Sequence, residues 1–255
     1  MKRYTERYVK AFYMALGMFC AIPFPFHVWD DSCMNLVLPC LPLVGVLTGT
    51  LWWAAAELLA SGPVHPALAA ALVTVMPFLL TGFLHLDGFM DTSDAVLSRR
   101  PPEEKRRILK DPHTGAFAVV SLALAVVVQF AAVYAAIDGR KELALLFCIN
   151  VMSRCCASVS LFSLKAMPHS GYAAMFKRNT GPAHRNFVLV TALLTIIVAC
   201  LLCGFRGLAV TLVTAAGYAG ALAYSYRELG GVSGDLTGYA IVTGELCGLV
   251  ALALL

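Results

Sequence analysis

Long runs without charged residues limit the folds open to this chain. An α-helix needs about 20 mainly apolar residues to cross the hydrocarbon core of a bilayer. Only 13% of the residues are charged, against roughly 25% in soluble domains, which excludes a disordered chain, a coiled coil and an ordinary cytosolic enzyme. The sequence predicts an all-α, polytopic membrane bundle of about seven transmembrane helices. Each predicted span carries at most one charge, and the spans lie within residues 32–56, 58–86, 116–137, 143–164, 187–205, 207–226 and 236–255.

Residues 12–29 are also apolar, but two prolines interrupt them. Pro23 and Pro25 stiffen the middle of this stretch, and Trp29 suits a membrane–water interface. We therefore expect an N-terminal re-entrant or interfacial helical hairpin rather than an eighth span. The predicted spans leave little material for a soluble domain, so residues 1–255 are predicted to form a single transmembrane domain.

The distribution of Lys and Arg predicts the orientation. With seven spans and a cytoplasmic N-terminus, the inside segments hold 15 of the 19 Lys and Arg residues and the outside loops hold 3. Positive loops face the cytoplasm, so loops 87–115 and 165–186 are predicted to be cytoplasmic. The net charge of +4 is too small and too dispersed for a nucleic-acid-binding protein.

Three aspartates mark the start of the first of these loops. Asp87, Asp91 and Asp94 are spaced i, i+4, i+7, so on a helix they fall within roughly 60° of one another. Aligned carboxylates repel unless a cation lies among them, and oxygen ligands favour Mg²⁺ together with phosphate oxygens. The sequence thus predicts a metal site here. The alternative is a solvated helix start, with acidic residues near its positive end.

Asp235 ends a glycine-rich turn just before the last predicted span. The glycines at 230, 231 and 234 permit close approach of the backbone to a ligand, although a simple loop explains them equally well. The orientation places Asp235 on the same side of the membrane as Asp87. We expect it to complete the acidic site, and the alternative is that it caps the last helix.

Three further polar residues have two open interpretations each. Asp111 either caps a turn or completes the acidic site. Arg154 and Glu245 lie inside predicted spans, where charges usually face a partner or a polar cavity. Either they form an ion pair between helices, or they bind a ligand.

Several of these stretches together resemble one family. Residues 82–88 (GFLHLDG), followed by Asp91-Thr92 and Asp94, resemble the first motif of the cobalamin synthase family, the adenosylcobinamide-GDP ribazoletransferases. Residues 110–117 (KDPHTGAF) and 230–235 (GGVSGD) resemble two further motifs, and Glu245 follows in the next helix. The resemblance extends along the whole chain.

The resemblance implies a membrane transferase of cobalamin biosynthesis. It would join adenosylcobinamide-GDP to α-ribazole or its 5′-phosphate, by attack of the ribazole 5′-hydroxyl, with release of GMP. It also implies Mg²⁺, a bacterial cytoplasmic membrane with the site facing the cytoplasm, and a possible homo-oligomer. The expected metal ligands are Asp87, Asp91, Asp94 and Asp235; the expected proton acceptor is Asp91 or Asp94; and the expected substrate-binding residues are His85, Asp111, Arg154 and Glu245.

Three other classes compete with this interpretation. CDP-alcohol phosphotransferases also use a membrane-edge aspartate cluster, but they require Asp-Gly-x-x-Ala-Arg, and Asp91-Thr92 occupies the last two positions here. An ion-coupled transporter is a second alternative, although the chain has no internal repeat of the kind common in transporters. A non-catalytic scaffold would not need three aligned carboxylates.

Overall fold

The computed structural model describes residues 2–25, 28–168 and 181–255, and these residues form ten α-helices and one 3₁₀ helix. The helices are α1 (Lys2–Phe19), the 3₁₀ helix (Asp31–Leu36), α2 (Val37–Ser61), α3 (Pro66–Leu80), α4 (Leu84–Leu97), α5 (Pro102–Ile108), α6 (Ala116–Asp138), α7 (Leu145–Ser163), α8 (Pro182–Cys203), α9 (Phe205–Leu229) and α10 (Gly234–Leu254). The predicted all-α class is confirmed.

Within the described part of the chain, six helical segments are long and apolar enough to cross a membrane. They are α2 together with the preceding 3₁₀ helix, α6, α7, α8, α9 and α10. The second predicted span differs from the expectation, because residues 66–97 form two helices, α3 and α4, with a bend of 90° between them. A helix of 15 residues is about 22 Å long, so α3 alone is shorter than the hydrocarbon core of about 30 Å. If α3 runs along the membrane normal, α4 lies along the membrane surface.

The bend between α3 and α4 is formed by three residues. The Thr81 hydroxyl donates a hydrogen bond to the Pro77 carbonyl at 2.8 Å, which closes the end of α3. Gly82 and Phe83 then adopt left-handed backbone conformations, with φ values of 58° and 63°. An uninterrupted α-helix excludes this conformation, so the predicted continuous helix to residue 86 is wrong. That prediction rested on the absence of charged residues, which does not indicate whether a helix is continuous.

Helix α10 lies at the centre of the bundle, where it contacts α4, α6, α7 and α9. A second tight pair is formed by α2 and α7. The Trp52 indole donates to the Val73 carbonyl at 2.8 Å and joins α2 to α3. The two largest apolar cores lie around the start of α10 and around its end. The first core supports the end of the bundle where the aspartates lie.

The N-terminal segment contains one helix rather than a hairpin. Helix α1 begins at Lys2, ten residues before the predicted segment, and packs against α2. Residues 20–25 and 28–30 are not helical, so the hairpin prediction is wrong within the described residues. Pro23 and Pro25 lie in this non-helical part. Proline lacks the amide hydrogen that helix continuation requires, which is consistent with the end of α1 before them.

The predicted loop 87–115 is largely helical, because it contains most of α4 and all of α5. Lys105 of α5 is buried and forms an ion pair with Glu228 of α9. The neighbouring Arg106 donates to the Leu229 carbonyl at 3.1 Å, where a cation is favoured by the helix dipole. These two basic residues therefore attach α5 to the end of α9.

The predicted loop 165–186 is described only at its two ends, and residues 169–180 lie outside the described part of the chain. Its first residues pair with the glycine-rich turn, since the Met167 amide donates to the Val232 carbonyl and the Val232 amide donates to the Lys165 carbonyl, both at 2.9 Å. Helix α8 begins at Pro182, five residues before the predicted span.

Candidate active site

The acidic stripe lies on one helix, as its spacing predicts. Asp87, Asp91 and Asp94 all belong to α4. The Asp87 side chain is exposed, whereas Asp91 and Asp94 are half-buried. The stripe is therefore accessible to a ligand from one side of α4.

A close crossing between α4 and α10 brings Asp235 to this stripe. A Cβ atom added to Gly88 would lie 2.8 Å from the Asp235 Cα atom, and one added to Gly238 would lie 3.0 Å from the His85 carbonyl oxygen. Only glycine allows the two backbones to approach this closely. The predicted juxtaposition of Asp235 and the α4 aspartates is thus present, although they are some 140 residues apart in sequence.

The four aspartates (Asp87, Asp91, Asp94 and Asp235), here called the Asp cluster, interact electrostatically. Asp91 belongs to α4, which is not one of the six spanning segments. Its burial, together with the negative charges of Asp87, Asp235 and Asp94, raises the pKa of the Asp91 carboxyl to about 6. Crowded carboxylates of this kind are stabilised by a proton or by a cation.

Asp94 is held against the beginning of α6. A Cβ atom added to Gly115 would lie 2.0 Å from Asp94 Oδ2 and 2.2 Å from Oδ1, so the carboxylate occupies the space that any side chain at position 115 would fill. Gly115 is the residue that precedes α6. The second motif therefore contributes to the site through Gly115, a role that the sequence analysis did not assign.

Two of the three glycines in the turn before α10 are required by the backbone. Gly230 ends α9 with a φ of 80°, in the left-handed region that favours glycine. A Cβ atom at Gly231 would lie 2.5 Å from the Met167 Cα atom, whereas Gly234 has no neighbour within 4 Å of that position. The Ser233 hydroxyl accepts a hydrogen bond from the Leu236 amide at 3.3 Å and caps α10. Ser233, not Asp235, is therefore the cap.

His85 is buried and lies on a different side of α4 from the aspartates. It precedes Asp87 by two residues, which is about 200° around a helix. Its Nε2 atom has no hydrogen-bond partner among the described residues. Burial, with a smaller effect from the positive charge of Arg154, lowers the pKa of His85 to about 3. Any contact of His85 with a substrate would thus use the neutral ring.

Asp111 forms a local turn, which was one of its two interpretations. Its Oδ1 atom accepts a hydrogen bond from the His113 amide at 3.0 Å and lies 2.7 Å from His113 Nδ1. The hydrogen bond from that amide, followed by the contact with the ring, lowers the pKa of the Asp111 carboxyl. Asp111 is not among the charges that act on Asp91, so the structure does not join it to the Asp cluster.

Arg154 and Glu245 form a buried ion pair between α7 and α10, which is one of the two interpretations that the sequence left open. The Arg154 side chain is 2% exposed. The Ser153 hydroxyl also donates to Glu245 Oε1 at 2.8 Å. The charges of this pair are therefore satisfied by protein groups. Because the two residues lie inside two spans, a structural role in joining those spans is sufficient to explain them.

The Asp cluster fits a hard divalent cation in charge and ligand type. The described residues contain no group of three or more His, Cys, Asp or Glu side chains arranged closely enough to hold a metal ion by themselves. Mg²⁺ commonly binds through one or two carboxylates together with substrate phosphates, and keeps several waters. A set of separate carboxylates on facing helices suits that mode of binding.

The fold and the site define a polytopic membrane protein with an acidic site at one end of its helical bundle. The family model described as cobalamin-5-phosphate synthase matches residues 11–253, and the chain belongs to this family. It is 34% identical to a protein of Clostridium botulinum over 96% of this chain and 97% of the relative. It is 36% identical to a protein of Clostridium perfringens over 97% and 99%, and 38% identical to one of Pseudomonas syringae over 84% and 86%. All three relatives carry the name adenosylcobinamide-GDP ribazoletransferase. No solved structure matches the chain significantly.

Proposed function

We propose that this chain joins adenosylcobinamide-GDP to α-ribazole or α-ribazole 5′-phosphate, giving adenosylcobalamin or its 5′-phosphate and releasing GMP. The observation that carries this proposal is the gathering of four carboxylates on α4 and α10 in a chain of this family. A pyrophosphate is a polyanion, so a purely acidic site accepts it only together with cations. The acidic site therefore supports a metal-dependent transfer of a phosphoryl group.

The reaction exchanges one phosphorus–oxygen bond for another. A ribose hydroxyl oxygen of the acceptor bonds to the phosphorus that carries cobinamide, and the bond from that phosphorus to the bridging oxygen breaks. GMP leaves with the bonding electrons. α-Ribazole 5′-phosphate has no free 5′-hydroxyl, so the attacking group shared by both acceptors is another ribose hydroxyl. The 5′-hydroxyl expected from the resemblance is therefore wrong on chemical grounds.

The Asp cluster would perform two tasks. Asp87, Asp91, Asp94 and Asp235 would hold Mg²⁺, which would neutralise the pyrophosphate and stabilise the leaving phosphate. Asp91 or Asp94 would accept the proton of the attacking hydroxyl, because both carboxylates are half-buried beside the accessible side of the stripe. Gly88, Gly238 and Gly115 position these carboxylates through the close contacts described above.

We also propose that the protein lies in a bacterial inner membrane with the Asp cluster on the cytoplasmic side. One end of each of the helices α6, α9 and α10 lies beside the Asp cluster. The opposite ends lie beside Arg140, Lys141 and Arg206. Most of the remaining Lys and Arg residues belong to segments at the Asp cluster's end. The excess of positive charge near the Asp cluster supports a cytoplasmic location.

The experiment is a reconstitution of the purified full chain with adenosylcobinamide-GDP and α-ribazole. GMP is measured with Mg²⁺ present and again after EDTA is added. We expect GMP and a cobalamin product to form in equal amounts only when a divalent cation is present. Release of GMP without the second substrate would indicate hydrolysis, and formation of the product in EDTA would contradict the metal assignment.

A further inference from the structure

The end of the bundle opposite the Asp cluster contains a basic pocket. Its volume is about 500 Å³. Arg140, Lys141 and Glu142, from the α6–α7 connection, line it together with Arg206 at the beginning of α9 and Leu255 at the end of α10. The lining side chains thus carry three positive charges and one negative charge.

The charged side chains that line the basic pocket are unpaired in the described part of the chain. Among the described residues, none of the Arg140, Lys141, Glu142 and Arg206 side chains forms an ion pair or a hydrogen bond. By contrast, the buried Arg154 and Lys105 are each paired. Even with a terminal carboxylate on Leu255, the charges of the residues that line the basic pocket would sum to a positive value. The basic pocket is therefore complementary to an anion.

An apolar groove adjoins the basic pocket. It has a volume of about 520 Å³ and is lined by Val128 of α6, Val213 of α9, Leu246 and Val250 of α10, and Leu255, which follows α10. Leu255 lines both the groove and the basic pocket. From residue 246 to residue 255 the groove follows α10 for about 14 Å, and all three helices are membrane-spanning segments. The groove thus runs from the bundle end toward the middle of the membrane.

We propose that the basic pocket and the apolar groove together bind one anionic phospholipid. The phosphate would lie among Arg140, Lys141 and Arg206, and one acyl chain would fill the groove. Basic pockets between transmembrane helices bind anionic headgroups, and phosphate forms strong charge-assisted hydrogen bonds with Arg. A zwitterionic lipid would bring its own cation to a pocket that already has an excess of positive charge. A free phosphate ion would leave the apolar groove without an occupant.

The test is native mass spectrometry of the detergent-purified full chain, titrated with phosphatidylglycerol or with phosphatidylcholine of the same acyl chains. We expect phosphatidylglycerol to bind more tightly. The double variant Arg140→Gln/Arg206→Gln should weaken its binding by about thirtyfold, as the loss of two basic residues at an anionic surface implies. The matched control Arg107→Gln/Lys110→Gln removes two exposed charges from the opposite end and should change the affinity by less than about twofold.

A second pair of variants tests the groove without changing any charge. Val213→Trp places a large side chain in the groove, whereas Leu212→Trp places it on a neighbouring exposed position that does not line the groove. We expect Val213→Trp alone to weaken phosphatidylglycerol binding, and inorganic phosphate to displace the lipid poorly. If Arg140→Gln/Arg206→Gln does not fold, the comparison of the two Trp variants still tests whether the lipid occupies the groove.

Three results would overturn the proposal. One is equal affinity for phosphatidylglycerol and phosphatidylcholine, and another is an equal loss of binding in the pocket variant and its charge control. The third is complete displacement by inorganic phosphate with no effect of Val213→Trp, which would indicate a simple anion site.

Discussion

Replacing Gly88 by Ala tests whether the close contact between α4 and α10 positions the Asp cluster. The new Cβ atom would lie 2.8 Å from the Asp235 Cα atom and 2.9 Å from its carbonyl oxygen, whereas ordinary contact begins at 3.4 Å. Both obstructing atoms are backbone atoms, so no side chain can rotate away. The helices must therefore separate by about 0.6 Å at this point, and overpacking of this kind costs about 1–3 kcal/mol.

The catalytic effect of Gly88→Ala should exceed its effect on folding. A misplacement of about 1 Å can reduce turnover by roughly 100-fold, and the displaced residue is Asp235 itself. We expect GMP formation to fall by at least about tenfold, while the protein still purifies as a folded membrane protein with a lower melting temperature. The assay is the rate of GMP release, measured alongside thermal unfolding.

Two glycines of α10 provide a graded comparison for this prediction. A Cβ atom at Gly234 would meet nothing within 4 Å, and one at Gly238 would meet the His85 carbonyl oxygen at 3.0 Å. Turnover should therefore be nearly unchanged in Gly234→Ala, reduced in Gly238→Ala and lowest in Gly88→Ala. Wild-type turnover in Gly88→Ala, or equal losses in all three variants, would refute the argument from helix spacing.

Four further predictions follow from the site and its surroundings. Gly115→Ala would displace the Asp94 carboxylate and should lower GMP formation by at least about tenfold. The control Gly220→Ala should not lower it, because the space around its Cβ position is open. Equal activities of the two variants would contradict the placement of Asp94. Ser233→Ala should cost about 1 kcal/mol of stability in thermal unfolding and lower turnover much less than Asp235→Asn, because the Ser233 hydroxyl contacts Asp235 Oδ2 only at 3.4 Å. A fully active Asp235→Asn would remove Asp235 from the site. Arg154→Met leaves Glu245 buried without its ion-pair partner and should cost about 3–5 kcal/mol, most of which Arg154→Met/Glu245→Met should restore; a double variant no more stable than the single one would refute this. In a cysteine-free background, Arg100→Cys should resist an impermeant maleimide in intact cells while Asp138→Cys reacts, and the opposite labelling would reverse the orientation.

The sequence predicts the spans and the acidic stripe because both depend on local patterns. A span is visible as an uncharged run, and the spacing of Asp87, Asp91 and Asp94 places them on one side of any helix that contains them. The approach of Asp235 was predictable only from orientation, because nothing local links it to α4. Gly88 and Gly238 meet at this crossing, but a single glycine on each helix does not identify its partner in the sequence.

Other features depend on backbone geometry that the residue pattern does not specify. The bend at Gly82 and Phe83 requires two left-handed residues in succession, and Phe rarely adopts that conformation. The role of Gly115 depends on the distant Asp94 carboxylate. Likewise, Ser233 and Asp235 both resemble helix caps in the sequence, and only the observed hydrogen bond identifies Ser233 as the cap.

The most direct test of the central claim compares Asp91→Asn with Asp111→Asn in GMP formation at limiting Mg²⁺. Both substitutions remove one carboxylate charge with little change in shape, but Asp91 lies within the Asp cluster and Asp111 does not. We predict that Asp91→Asn lowers turnover by about two orders of magnitude or more at unchanged expression, while Asp111→Asn stays close to wild type. Near-normal turnover of Asp91→Asn under these conditions would contradict the assignment of the Asp cluster as the metal and pyrophosphate site.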